Sequence, residues 1–152
     1  MTPAIWERTE QALVNLILNC QETQALKRAH RGFIGELCWL KEFCTIKMTG
    51  PRQSGHTRAM LQVAERGFED PLFLTSSDDM RVRVDELRNQ LGFIKGTCMD
   101  LHQLLRNRST ANLRTVDIAF LDVACMASQR RIEEFYQLWI EPPIGFCIVL
   151  LE

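Results

Sequence analysis

The spacing of apolar residues along the chain changes repeatedly, and each change marks an element. Over residues 3–30, Ile5, Trp6, Ala12, Leu13, Leu16, Ile17 and Cys20 recur at three- and four-residue steps, which predicts an amphipathic helix. Thr2 and Pro3 suit its start. A second helical piece after Gly32 carries Ile34, Leu37, Cys38 and Leu40. Phe43-Cys-Thr-Ile-Lys-Met48 then reads as a strand, and Thr49-Gly50 ends it with a loop signal. Helical spacing returns over 57–66 through Ala59, Met60, Val63 and Ala64, with Gly67 as a C-cap. Pro71-Leu-Phe-Leu-Thr75 has the composition of a short buried strand. Ser76 to Asp79 form an N-cap region for a helix over 79–91, stopped by Gly92.

Residues 93–105 fit two patterns, since Phe93-Ile94 suits a strand opening while Met99 to Leu105 is helical in spacing. Arg106 to Arg114 is polar and reads as a loop. Val116-Asp-Ile-Ala-Phe-Leu121 is an apolar run ending at Asp122, with Asp117 expected at its boundary or solvent side. A helix over 128–140 places Ile132, Phe135, Tyr136 and Trp139 on one face, Pro142-Pro143 breaks it, and 144–151 is a last apolar strand. Strands that alternate with helices and are nearly continuous in apolar residues predict an α/β fold, with a mostly parallel sheet covered by helices on both faces. Residues 1–42 are expected to form an N-terminal helical extension packed on an α/β domain spanning 43–152.

Bulk properties narrow the partners. The chain has 152 residues, enough for one domain without covalent staples. Its 18 basic and 19 acidic residues leave a net charge of −1, so there is no global attraction to nucleic acid, although local basic patches remain. Lys27, Arg28, His30 and Arg31 form such a cluster. The six cysteines, at 20, 38, 44, 98, 125 and 147, form no CxxC pair and no zinc-ligand spacing. They read as buried small hydrophobes in a reducing compartment. The N-terminus has no basic stretch leading into an apolar one, and no run approaches ~18 apolar residues. A cytoplasmic protein without membrane contact is the expectation.

The segment between the first predicted strand and the following helix carries the strongest chemical signal. Gly50-Pro-Arg-Gln-Ser-Gly55-His56-Thr57 fills three of the four fixed positions of G-x-x-x-x-G-K-[ST]. Glycines at this spacing let backbone N–H groups turn inward around phosphate oxygens, and the next helix presents its positive end to them. The Thr57 hydroxyl is suited to Mg²⁺. His56 stands where the lysine that reaches the β- and γ-phosphates would be. A histidine titrates near ~6.5 in model peptides and, without a partner, carries little charge at neutral pH. Arg52 within the loop and Arg58 just after it are alternative sources of charge.

GPRQSGHT resembles the Gly-Pro-x-x-x-Gly-Lys-Thr loops of the P-loop NTPase superfamily, over roughly residues 43–152. The resemblance implies a P-loop NTPase-like sheet and a site for ATP and Mg²⁺, with Gly50, Arg52, Gly55, His56, Thr57 and Arg58 around the nucleotide. It also implies a second element, an apolar strand ending in a metal-supporting Asp, and Val116 to Asp122 resembles that element. Thr57 and Asp122 are thus the expected metal residues. Many ATPases of the superfamily follow that Asp with a Glu that orients the attacking water, whereas this chain has Val123. Glu133 and Glu134 lie too far along to be taken as substitutes. Catalytic residues are therefore left unassigned, and Arg106, Arg108 and Arg114 are the arginines available to stabilise transferred charge, with a solvated loop as their plainer role.

The resemblance implies a nucleotide-binding protein, a reduced ATPase of the helicase or DNA-packaging type acting with nucleic acid. The alternative is an inactive P-loop fold serving as a protein- or nucleic-acid-binding assembly module. Trp6, Leu13, Leu16, Ile17, Trp39 and Leu40 either pack on the sheet or form an interface with a second copy or a protein partner.

Overall fold

The computed structural model describes residues 5–49, 56–107, 112–122 and 129–151. Its centre is a five-stranded sheet, built from β1 (Thr45–Met48), β2 (Pro71–Thr75), β3 (Thr97–Asp100), β4 (Ile118–Asp122) and β5 (Cys147–Leu151). The strands are all parallel and lie in the order β1-β5-β4-β2-β3. Composition follows position. The inner strands PLFLT, IAFLD and CIVLL are buried almost throughout, whereas the edge strands TIKM and TCMD are partly exposed. Only a strand covered on both faces needs an apolar residue at every position, hence the continuous runs visible in the sequence.

Helices supply that cover. α1 (Ile5–Lys27), α2 (Arg31–Ile34) and α3 (Glu36–Phe43) precede the sheet, and α4 (His56–Gly67), α5 (Asp78–Leu91), α6 (Leu101–Arg106) and α7 (Gln129–Tyr136) connect its strands. From β1 to β2 to β3 the chain moves one way across the sheet, and from β3 to β4 to β5 it returns. Right-handed crossovers therefore put α4 and α5 on one face and α6 and α7 on the other.

The core divides in that way. One layer joins Leu13 and Ile17 of α1, Met60 and Leu61 of α4 and Val84 of α5 to Ile46, Phe73, Phe120 and Val149. The other joins Trp39 and Leu40 of α3, Leu104 of α6 and Phe135 of α7 to Leu72, Leu74, Leu121, Ile148 and Leu150. Neighbouring strand residues point to opposite layers, as the pleat requires. The N-terminal helices contribute to both layers.

Boundaries differ from the sequence expectation where tertiary contacts decide them. α2 and α3 are split at Gly35, and the last long helix ends at Tyr136, four residues before Ile140. The 93–105 segment resolves into β3 and α6, but the strand begins at Thr97 rather than Phe93. Gly96 explains the late start: its φ is +81°, and a Cβ there would lie 2.1 Å from the Pro71 carbonyl oxygen. Gly92 ends α5 in the left-handed conformation as expected, donating its N–H to Arg88 and Asn89 carbonyls. Asp117 is a boundary residue, its carboxylate accepting from the N–H groups of Glu69 and Asp70 at 2.8 and 3.1 Å. Of the cysteines expected to pack in the core, Cys44 and Cys147 are buried and Cys20 and Cys98 half-buried, whereas Cys38 is exposed, and Cys125 lies outside the described residues. Among the described residues no helix is long and apolar enough to cross a membrane.

Phe120 is fully buried on the central strand and stacks on Phe73 with centroids 5.6 Å apart. Phe120→Ala should lower the unfolding free energy by ~3–5 kcal/mol, whereas Phe33→Ala, at an 89% exposed position, should change it by less than ~0.5 kcal/mol. Urea unfolding of both variants checks this, and comparable losses would contradict the layer assignment.

Candidate functional site

In a parallel sheet all carboxyl ends meet at one pole, and the loops leaving them form a crevice where the connections diverge to opposite faces. Here β2 is followed by α5 on one face while its neighbour β4 leads toward α7 on the other. Three apolar strands deliver Thr75, Asp122 and Leu151 to this pole, and α4 begins beside them. A cavity of about 30 Å³ opens between these elements, lined by Thr57, Met60, Thr75, Met80, Asp122 and Leu151 among others. Thr57 and Asp122, distant in sequence, face this one cavity. Its volume suits a water-sized group or small ion and is far too small for a nucleotide.

The polar groups around it have defined settings. His56 is the first residue of α4 and Thr57 the second, so both lie where helix N–H groups lack partners within the helix. Thr75 is 4% exposed and donates its hydroxyl to the Ser77 carbonyl at 2.9 Å. Ser77 in turn caps α5, accepting from the Met80 N–H at 3.3 Å. Asp100, at the end of β3, is occupied as the cap of α6, accepting from the Gln103 N–H at 3.0 Å. Among the described residues no group of three or more His, Cys, Asp or Glu side chains could hold a metal ion unaided.

Other predicted residues lie elsewhere or are engaged. Gly50, Arg52 and Gly55, as well as Val123 and Arg108, fall outside the described residues. Arg58 turns onto α1, its guanidinium carbon 4.3 Å from the centroid of the Trp6 ring. Arg114 precedes β4, at the opposite end of that strand from Asp122, and Arg106 closes α6, leading away from the end of β3. Glu133 receives two hydrogen bonds from Lys41 Nζ, each 2.7 Å, and Lys41 holds its carboxyl below the ordinary range. Glu134 pairs with Arg130 at 3.2 Å. In the basic cluster, Arg31 forms a two-point pair with Glu36 at 2.7 Å and lies over Trp39, while Lys27, Arg28 and His30 are exposed.

Thr75 and the Trp6–Arg58 pair had not been anticipated. Thr75 had a usable signal: a polar residue closing an apolar strand, as Asp122 does. The pairing of Trp6 with Arg58 had none, because it depends on how α1 crosses α4. No protein-family model matches the chain, and no curated protein sequence matches it.

An exposed cation–π contact is worth ~0.5–1 kcal/mol, so Arg58→Met should lower stability by about that amount. The same substitution in a Trp6→Leu background should cost nothing further. A double-mutant cycle from thermal or urea unfolding reads the coupling, and additive effects would show that the pair contributes nothing.

Proposed function

We propose that the chain binds a nucleoside triphosphate, ATP foremost, at the carboxyl pole of the sheet, as a reduced P-loop NTPase. The observation that carries this reading is the convergence of Thr57 and Asp122 on one cavity. A hydroxyl at the start of the helix after a glycine loop and a carboxylate at the end of a neighbouring strand are the two oxygen donors such a site needs. The donor set fits Mg²⁺, a hard cation that keeps several waters and takes its remaining ligands from substrate phosphates. Thr57 and Asp122 would hold it, and when bound it would offset charge on the β- and γ-phosphates. The amino end of α4 would favour the anion through its oriented N–H groups. Gly50 to Gly55 would wrap the phosphates, with Arg52 as the loop's own cation.

Hydrolysis is the weakest part of an ATPase role. Phosphoryl transfer relies on positioning and on charge stabilisation, and this chain has His56 for the lysine and Val123 for the water-orienting glutamate. A second reading, an inactive P-loop fold used for assembly with protein or nucleic acid, is favoured by the engagement of Arg58 with Trp6. That contact uses a cation the nucleotide would otherwise attract.

Equilibrium titration with ATP, with and without Mg²⁺, tests the proposal. A charge-assisted contact is worth ~1.5–3 kcal/mol, so His56→Lys should tighten ATP binding by roughly 10-fold or more. Asp122→Asn should weaken binding by a similar factor only when Mg²⁺ is present. If neither the wild type nor His56→Lys binds ATP at millimolar concentration, nucleotide binding is wrong. Binding without turnover, in the presence or absence of DNA or RNA, would favour the assembly module.

A further inference from the structure

On the face covered by α3 and α7, the β1 edge of the sheet is polar. Residues of β1 alternate between the two layers. Ile46 and Met48 enter the layer of α1 and α4, while Thr45 and Lys47 stand beside Ile148 and Leu150 in the layer of α3 and α7. Two polar side chains leave that corner of the layer unfilled, and a cavity of about 410 Å³ opens between β1, α3 and α7. Among the described residues it shares no lining residue with the carboxyl-end cavity. Its volume falls within the ~300–1,000 Å³ of pockets that hold small organic ligands.

The polar groups of the lining already hold one another, which determines what each can offer. Lys41 donates to both oxygens of Glu133 at 2.7 Å, so its charge is matched and the Glu133 carboxyl is kept ionised. The Thr45 hydroxyl gives its hydrogen to the Leu40 carbonyl at 2.8 Å and therefore accepts the Tyr136 hydroxyl, also at 2.8 Å. Tyr136 Oη thus keeps lone pairs, and no hydrogen, for an incoming group. Lys47 is exposed, and its ammonium has no ion-pair or hydrogen-bond partner among the described residues. Two lysines against one glutamate leave the lining with a charge of +1, carried by Lys47. Ile132 and the buried Leu150 add an apolar wall.

We propose that this cavity binds a small organic monocarboxylate, its carboxylate against Lys47 and its apolar body against Ile132 and Leu150. A hydroxyl on that body finds an acceptor in Tyr136 Oη. The charge pattern selects the class. One unmatched cation suits one negative charge, whereas a phosphate group sets a second charge beside Glu133 with Lys41 already engaged. Because the Lys41–Glu133 and Thr45–Tyr136 contacts exist before any ligand arrives, little side-chain ordering opposes binding.

Tyr136 is the single tyrosine of the chain, so isotopically labelled tyrosine gives one set of ring NMR signals, and it reports this cavity. The full chain is titrated with phenylacetate, 4-hydroxyphenylacetate and hexanoate, and in parallel with their primary amides and with phenyl phosphate. At least one acid should shift the Tyr136 signals saturably below about 10 mM, and its amide should bind roughly ten-fold more weakly or worse. Lys47→Gln, at an exposed position, should weaken the acid by a similar factor and leave the amide unchanged, which distinguishes a lost charge contact from a disturbed fold. Three results overturn the proposal: no saturable shift with any of the acids, amides that bind as tightly as the acids, or phenyl phosphate that binds more tightly than they do. The comparison of acid with amide on the wild-type chain decides the matter even where Lys47→Gln is unstable.

Discussion

Covering β2, β4 and β5 on both faces is the constraint from which the rest of the molecule follows. An inner strand of a parallel sheet can satisfy its backbone only laterally and must send every side chain into a packed layer. That requirement explains the apolar runs PLFLT, IAFLD and CIVLL. It also explains why the connections divide between faces and why helices from residues 1–42 supply part of the cover. Trp39 is completely buried on one face and Leu13 on the other, so the N-terminal segment contributes side chains to both layers of the sheet.

The same constraint locates the chemistry. With both faces sealed, polar side chains carried by the inner strands can appear only at strand ends. Asp117 and Asp122 bracket the buried part of one strand and have different surroundings. Asp117 accepts two backbone N–H groups and fastens the turn before β2. Asp122 reaches the carboxyl pole, where divergence of the connections opens a cavity beside the start of α4. The position of a carboxylate relative to strand direction, rather than its residue type, separates a turn fastener from a candidate ligand.

Much of this was legible in the sequence because it depends on local pattern. Strand runs and helix periods are read from neighbours, and the placement of Thr57 after a glycine loop and of Asp122 after an apolar run anticipated that both would sit at element ends. What stayed illegible depends on contacts between residues far apart in the chain. Gly96 reads as an ordinary loop glycine until Pro71 is beside it, and that proximity sets the start of β3. Phe93 and Ile94 have strand composition, yet the Ile94 side chain is 86% exposed because the chain has not entered the sheet there. Arg58 reads as a phosphate cation from its place after the loop, and the crossing of α1 gives it an aromatic partner instead.

Charge at the carboxyl pole gives the functional question its physical form. A triphosphate needs compensation from fixed positive groups, and among the residues expected around the nucleotide the described basic ones are His56, at the start of α4, and Arg58, already stacked on Trp6. Helix-end dipoles contribute typically ~0.3–1 kcal/mol, up to ~2 in partly buried settings, less than a directed lysine contact at ~1.5–3 kcal/mol. Mg²⁺ held by Thr57 and Asp122 would therefore, on the proposed reading, supply a larger share of the compensation than in a loop that has a lysine at the position of His56. On the proposed reading, nucleotide affinity in this chain depends chiefly on the metal, and the Trp6–Arg58 contact sets how much further charge α4 can offer. A site organised in that way favours metal-dependent binding over rapid turnover, because the groups that would stabilise charge during transfer are the ones replaced or engaged elsewhere.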